Sequence, residues 1–193
     1  MKYYILYKPY GMVTQFSGEG ETLADIDFRF PKDVYPVGRL DKDSEGLLLL
    51  TNDKRLNHKL LNPKFAHQRT YWVQVEKIPL EEQLQQLSKG VVINLKGKTH
   101  KTLHAKIRLF EKPPQVWERD PPIRFRKNIP TAWLEMTLKE GKNRQVRKMT
   151  ASVGHPTLRL IRHSIEGLNI DEMKIGGVLE INPKNIYKKL NME

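Results

Sequence analysis

The chain contains no cysteine. That excludes disulfide cross-links and thiolate metal sites, and leaves the fold to burial and hydrogen bonding alone. It also lacks any apolar run approaching the roughly 18 residues of a membrane-spanning helix. The apolar stretch near the start, Tyr3–Tyr7, is broken at once by Lys8 and Pro9 and is too short for a secretory leader. Neither a Gly-rich dinucleotide fingerprint nor a phosphate-loop motif is present. Together these absences predict a soluble cytoplasmic protein. Its 193 residues suffice for a self-sufficient core, as one large domain or two small lobes.

Positive charge is abundant. The 34 basic and 22 acidic residues give a net charge of +12 and a pI near 9.8, a balance that favours a polyanionic partner. The excess is uneven. Residues 139–163 hold seven basic side chains against one acid, Glu140, whereas residues 17–33 hold five acids against Arg29 and Lys32. A positive field concentrated in one stretch fits a nucleic-acid groove.

Periodicity predicts the elements. Residues 3–7 and 47–51 are short apolar runs that read as buried strands, while residues 70–76, 103–110 and 131–138 alternate as half-exposed antiparallel strands do. Leu103, Ala105, Ile107 and Leu109 are the expected inward set of the second of these. Helices are expected after Pro79, with Leu80, Leu84 and Leu87 as the buried stripe, and after a cap at Asn52 or Asp53, with Leu56 and Leu60 buried. A third, over 143–154 with Asn143 as cap, buries Val146, Met149, Thr150 and Val153 and carries a mostly basic second stripe. Residues 111–130 contain five prolines and read as an ordered loop in which Trp117 and Phe125, interleaved with Arg119, Arg124 and Arg126, can stack on unpaired bases. The class is α+β, a mainly antiparallel sheet flanked by helices.

The densest chemistry lies in GRLDKDSEGLLLLTND, residues 38–53, where five charged side chains precede four leucines. Asp41, Asp43, Glu45 and Gly46 match the opening of a calcium loop, but its twelfth position is Asn52 and a strand pattern intervenes. Arg39 and Lys42 paired with Asp43 and Glu45 would make an ordinary solvated turn. The apolar frame around Asp41, with Leu40 before it and Gly38 and Gly46 on either side, instead suits a carboxylate held ready as a nucleophile or base.

This segment resembles the signature of the bacterial ribosomal RNA pseudouridine synthases of the RsuA/RluB/RluE/RluF type. RTYWVQVE (69–76) is similar to the family's second motif, and EGKNRQVRKMTASVGHPTLRLIR (140–162) to its third. The proline-rich stretch WERDPPIRFRKNIPTAWL resembles the E-type branch most, as does a chain that opens directly on the catalytic domain without a small N-terminal S4-type RNA-binding domain. Arg69, Ser44 and Lys54 depart from the commoner residues of the family at their positions.

The resemblance implies a pseudouridine synthase fold over residues 1–193 with a central RNA-binding cleft. It further implies an isomerase acting on 23S rRNA, free or in a ribosome assembly intermediate, without metal or other cofactor. Asp41 is then the nucleophile, Tyr71 the aromatic and proton-transfer partner, and Arg147 (alternatively Arg144) the partner of Asp41. Arg39, Lys142, Asn143, Arg144, Gln145 and Lys148 form the expected RNA-contacting set. A basic face left open for RNA predicts a monomer. The six histidines show no metal-ligand spacing and are expected at the surface or facing RNA.

Overall fold

The computed structural model describes residues 1–123 and 129–192. Its elements in chain order are β1 (Tyr3–Lys8), β2 (Tyr35–Pro36), β3 (Glu45–Thr51), α1 (Lys54–Leu61), β4 (Arg69–Glu76), α2 (Glu81–Lys89), β5 (Val92–Leu95), β6 (Lys98–Lys101), β7 (Lys106–Leu109), β8 (Thr131–Leu138), α3 (Gln145–Ser152), β9 (Thr157–Ile165), β10 (Leu168–Asn169), β11 (Val178–Glu180) and α4 (Pro183–Lys189). They fall into two compact units, Met1–His67 with Ile161–Glu193, and Gln68–Leu160. The strands pair mostly antiparallel, giving the expected α+β class.

In the first unit β1 and β3 pair antiparallel from Tyr3↔Thr51 to Lys8↔Gly46. Both strands are buried at every position, so neither needs to alternate. Tyr4, Leu6, Leu48 and Leu50 pack on one face with Leu23, Val34 and Leu40 from the long segment between β1 and β3. Phe28 and Phe30 of that segment tilt their rings against Tyr4 at 5.3 and 5.7 Å, which orders a stretch with little regular structure. β11 extends β1, and β9 runs parallel to β3 at Glu45↔Ile161 and Gly46↔Arg162.

In the second unit β4 and β8 pair over their full length, Arg69↔Leu138 to Glu76↔Thr131, with β7 on the other edge of β8. Val73, Val75, Leu134 and Met136 form one core with Leu87 of α2 and Val146 and Met149 of α3. Three expectations need correction. Leu80 caps α2 from outside and is exposed, because the helix starts one residue later. The alternating strand at 103–110 shrinks to Lys106–Leu109, with Leu103 exposed, because the Leu103 amide donates to Glu140 Oε1 at 2.8 Å instead of entering the sheet. Asn143 does not cap α3; Arg144 does, in a left-handed conformation at φ 50°. The β5–β6 hairpin is not foreshadowed by the periodicity. It turns on Lys96 and Gly97, both at positive φ, as a tight two-residue turn requires.

Asp53 joins three distant parts of the first unit. Its Oδ1 accepts from the Arg55 and Leu56 amides and so caps α1, while its Oδ2 accepts from the Tyr3 hydroxyl at 2.7 Å and the Tyr187 hydroxyl at 2.6 Å. Burial alone would raise this carboxyl. The hydrogen bonds from Tyr187, Tyr3 and the two amides outweigh it and hold the group below its usual range. Burial and the Asp53 charge push the Tyr187 hydroxyl up to about 12. Asp53→Ala orphans a helix cap and a buried hydroxyl, and is expected to destabilise the fold by about 2 to 4 kcal/mol in urea unfolding. Because the folded carboxyl titrates below its ordinary value, its contribution is complete above about pH 4 and fades as acid protonates the folded state. The difference in stability between wild type and Asp53→Ala should therefore shrink on acidification.

Candidate active site

Asp41 begins a tight turn that feeds β3. The Ser44 amide donates to the Asp41 carbonyl at 3.0 Å, and the segment after β1 braces the turn from the side, Gly11 N donating to Lys42 O at 2.9 Å and Thr14 Oγ1 to Leu40 O at 3.3 Å. Asp41 and Asp43 are half-buried, Arg39 and Lys42 exposed, and Ser44 and Glu45 buried. Gly46 is obligatory. Its φ is +105°, and a Cβ there would collide with the Arg162 backbone of the adjacent parallel strand. The calcium-loop reading fails on geometry, since residues 45–51 are the strand β3.

Beneath this turn lies a cation that the sequence motifs do not single out. Lys8, the last residue of β1 and the register partner of Gly46, is fully buried, and its Nζ donates to the Pro9 and Met12 carbonyls, each at 2.7 Å. Burial pushes the amine down, the charges of Glu45, Asp43 and Asp41 pull it up, and Arg162 pushes it down again; the balance leaves it lowered to about 8. Arg162 is itself buried, with Nε donating to the Leu47 carbonyl at 2.8 Å. Three carboxylates and two cations are thus gathered at one end of β3. Glu45 is the buried acid among them, while Asp41 and Asp43 keep partial access to solvent. The available sign was a lysine closing an otherwise apolar strand, a position where a solvated side chain is unusual.

The other expected site residues belong to the second unit. Tyr71 lies on β4 opposite Met136, half-buried, its ring packed at the edge of the apolar cluster. Lys142, Asn143 and Arg144 are exposed in the turn between β8 and α3, and Arg147 and Lys148 are half-buried on α3. Gln145 is buried, with Nε2 donating to Glu140 Oε1 at 2.6 Å and Oε1 accepting from the Lys142 amide at 2.9 Å, so it braces the basic turn from inside.

Two histidines differ from expectation, while His58 and His104 are exposed as expected. His67 and His155 are buried, the first against Glu166 at 3.2 Å and the second against the Glu76 carbonyl at 3.0 Å. His100 meets Glu140, and His163 meets Asp171. Among the described residues no group of three or more His, Asp or Glu side chains is arranged to hold a metal ion. Trp117 is exposed; Arg124, Phe125 and Arg126 lie outside the described residues.

Residues 2–152 match the RNA pseudouridylate synthase family. The ribosomal large subunit pseudouridine synthase E of Xanthomonas axonopodis pv. citri is 50% identical over 173 residues, 88% of this chain and 88% of the relative. The protein of the same name from Vibrio vulnificus is 50% identical over 183 residues, 94% of this chain and 75% of the relative. A crystal structure of a pseudouridylate synthase covers 97% of this chain and 73% of its own at 24% identity, with a TM-score of 0.78, which establishes the fold. A turn presenting Asp41 over a buried charge cluster, on this fold and with these relatives, has one reading: the chain belongs to the RNA pseudouridylate synthase family.

Proposed function

We propose that this chain converts one uridine of 23S rRNA to pseudouridine, working as a cytoplasmic monomer, with Asp41 as the reactive carboxylate. The observation that carries the reading is 50% identity, over 88% and 94% of the chain, to two proteins named ribosomal large subunit pseudouridine synthase E. The chemistry is an isomerisation. The N1–C1′ bond of uridine breaks, the uracil rotates, a C5–C1′ bond forms, and the C5 proton leaves while N1 regains one. A uridine in structured RNA must first leave its stack. Asp41 then either adds to the nucleoside or drives formation of a glycal-like intermediate. In this reading Arg147 orients Asp41 through a charge-assisted hydrogen bond, and Tyr71 offers a ring face to the uracil and a hydroxyl for proton transfer at C5. Arg39, Lys142, Asn143, Arg144 and Lys148 contact the RNA.

Lys8 adds a function of its own. The charge of Lys8 favours the ionised forms of Glu45, Asp43 and Asp41 together, and so lets two further acids stand beside the reactive carboxylate at a partly buried turn. Losing its proton removes that charge from under the turn.

Tritium release from rRNA labelled at C5 of uridine tests the reaction directly. Wild type is expected to release label and Asp41→Asn to fall to background; release by neither, on naked RNA or on ribosomal particles, would leave an RNA-binding protein without this activity. The pH dependence has two opposed signs. Since the folded Lys8 titrates near 8 and the unfolded chain near 10.5, the unfolded state holds the extra proton between those values, so stability rises with pH across the window. Activity should fall over the same window as the cation disappears. In Lys8→Met both trends should flatten, the first in thermal melts and the second in kcat/KM profiles; an unchanged alkaline limb would remove Lys8 from the account.

A further inference from the structure

The basic stretch around α3 is not the chain's only one. Residues 83–110 hold six basic side chains, Lys89, Lys96, Lys98, Lys101, Lys106 and Arg108, and no acid. Their middle is the β5–β6 hairpin, whose Lys96 and Lys98 are exposed at the turn. None of the three sequence motifs touches this segment.

The hairpin is fastened to the basic turn before α3 by one carboxylate. Glu140, with its side chain only 11% exposed, accepts from Leu103 N at 2.8 Å and Gln145 Nε2 at 2.6 Å through Oε1, and meets His100 Nε2 at 3.1 Å through Oε2. Gln145 passes the connection on to the Lys142 amide. The only acid of residues 139–163 therefore does not dilute the positive surface. It is turned inward, where it fixes two cationic segments to each other. At roughly 3.3 Å per residue along a strand, Lys98 lies about 7 Å from His100 and so close to the clasp. A hairpin with only solvation to perform would need no such buried junction, and its lysines have no acid within the segment to pair with.

We infer that the β5–β6 hairpin is a second phosphate-binding arm of the RNA site, held in line with Lys142 and Arg144 by Glu140. Its ligand is the sugar–phosphate backbone of the substrate RNA flanking the reactive uridine. The inference rests on the RNA reading above and extends the contact surface to an element outside the sequence motifs. Because backbone contacts carry no base information, the arm adds affinity and register without choosing the nucleotide.

The test measures binding of the full chain to naked large-subunit rRNA across a salt series, with tritium release by wild type run in parallel. Lys96→Asn/Lys98→Gln is compared with Lys184→Gln/Lys188→Gln, which removes the same charge from exposed positions of α4. The hairpin pair is expected to weaken binding about tenfold at moderate salt and to flatten the log–log salt slope by about 1.4 to 1.8, two phosphates at roughly 0.7 to 0.9 each. The α4 pair should change the slope little. In a Glu140→Ala background that still melts cooperatively, the hairpin substitutions should lose most of their effect, since an unfastened arm no longer lies along the strand. A wild-type slope in the hairpin pair, or one equal to the α4 control, overturns the inference. Full additivity with Glu140→Ala overturns the clasp. Both results leave the enzyme reading intact, whereas absence of tritium release by wild type counts against that reading and not against the arm.

Discussion

The site depends on a lysine kept out of water. Lys8 is fully buried and answers its charge locally, with two carbonyls of the chain that follows it and the fields of three acids. An unpaired ammonium in such a place would be prohibitive, and so would Glu45 without a cation beside it. Each makes the other tolerable. The segment that supplies the carbonyls also braces the Asp41 turn through Gly11, so the support of that turn and the lysine's hydrogen bonds come from the same few residues. Gly46 completes the arrangement by allowing β3 to lie against the Arg162 backbone. Ion pairing, turn geometry and strand packing here are one constraint, and a change in any of them reaches Asp41.

The second unit solves a different problem, which is to carry a cationic turn on a firm support. Its core is conventional, two long antiparallel strands against two short helices, and it leaves the turn before α3 open to solvent. That turn has to be stiff if it is to meet a polyanion in a fixed register. Stiffness comes from Gln145, Glu140 and the left-handed Arg144, none of which would register as structural in a count of charges.

Much of this is legible in the amino-acid sequence. The leucine run of β3, a cap for α1 at Asn52 or Asp53, of which the structure uses Asp53, and the alternation of β8 follow from period and capping, because each is decided by nearby residues. The family resemblance carries Asp41, Tyr71 and Arg147, which local patterning alone would give to a solvated turn, a core strand and a basic helix face. What escapes is decided at long range. Leu103 reads as inward-facing until its amide is taken by Glu140, 37 residues on, and nothing in the local pattern shows that the Gln145 amide reaches the same carboxylate. Lys8 reads only as the residue that breaks an apolar run. Its meaning appears when Gly46, 38 positions later, pairs with it.

The first unit is assembled from both ends of the chain, and this bears on the order in which a ribosome can build it. Gln68–Leu160 emerges as one continuous piece with its own core and can settle while synthesis proceeds. Met1–His67 cannot. Its β3 waits for the strand bearing Ile161 and Arg162, and Asp53 waits for a hydroxyl 134 residues downstream. The turn carrying Asp41 is made before Gln68–Leu160 and yet acquires its surroundings after it, so the nascent chain presents its basic turn well before Asp41 has its full setting.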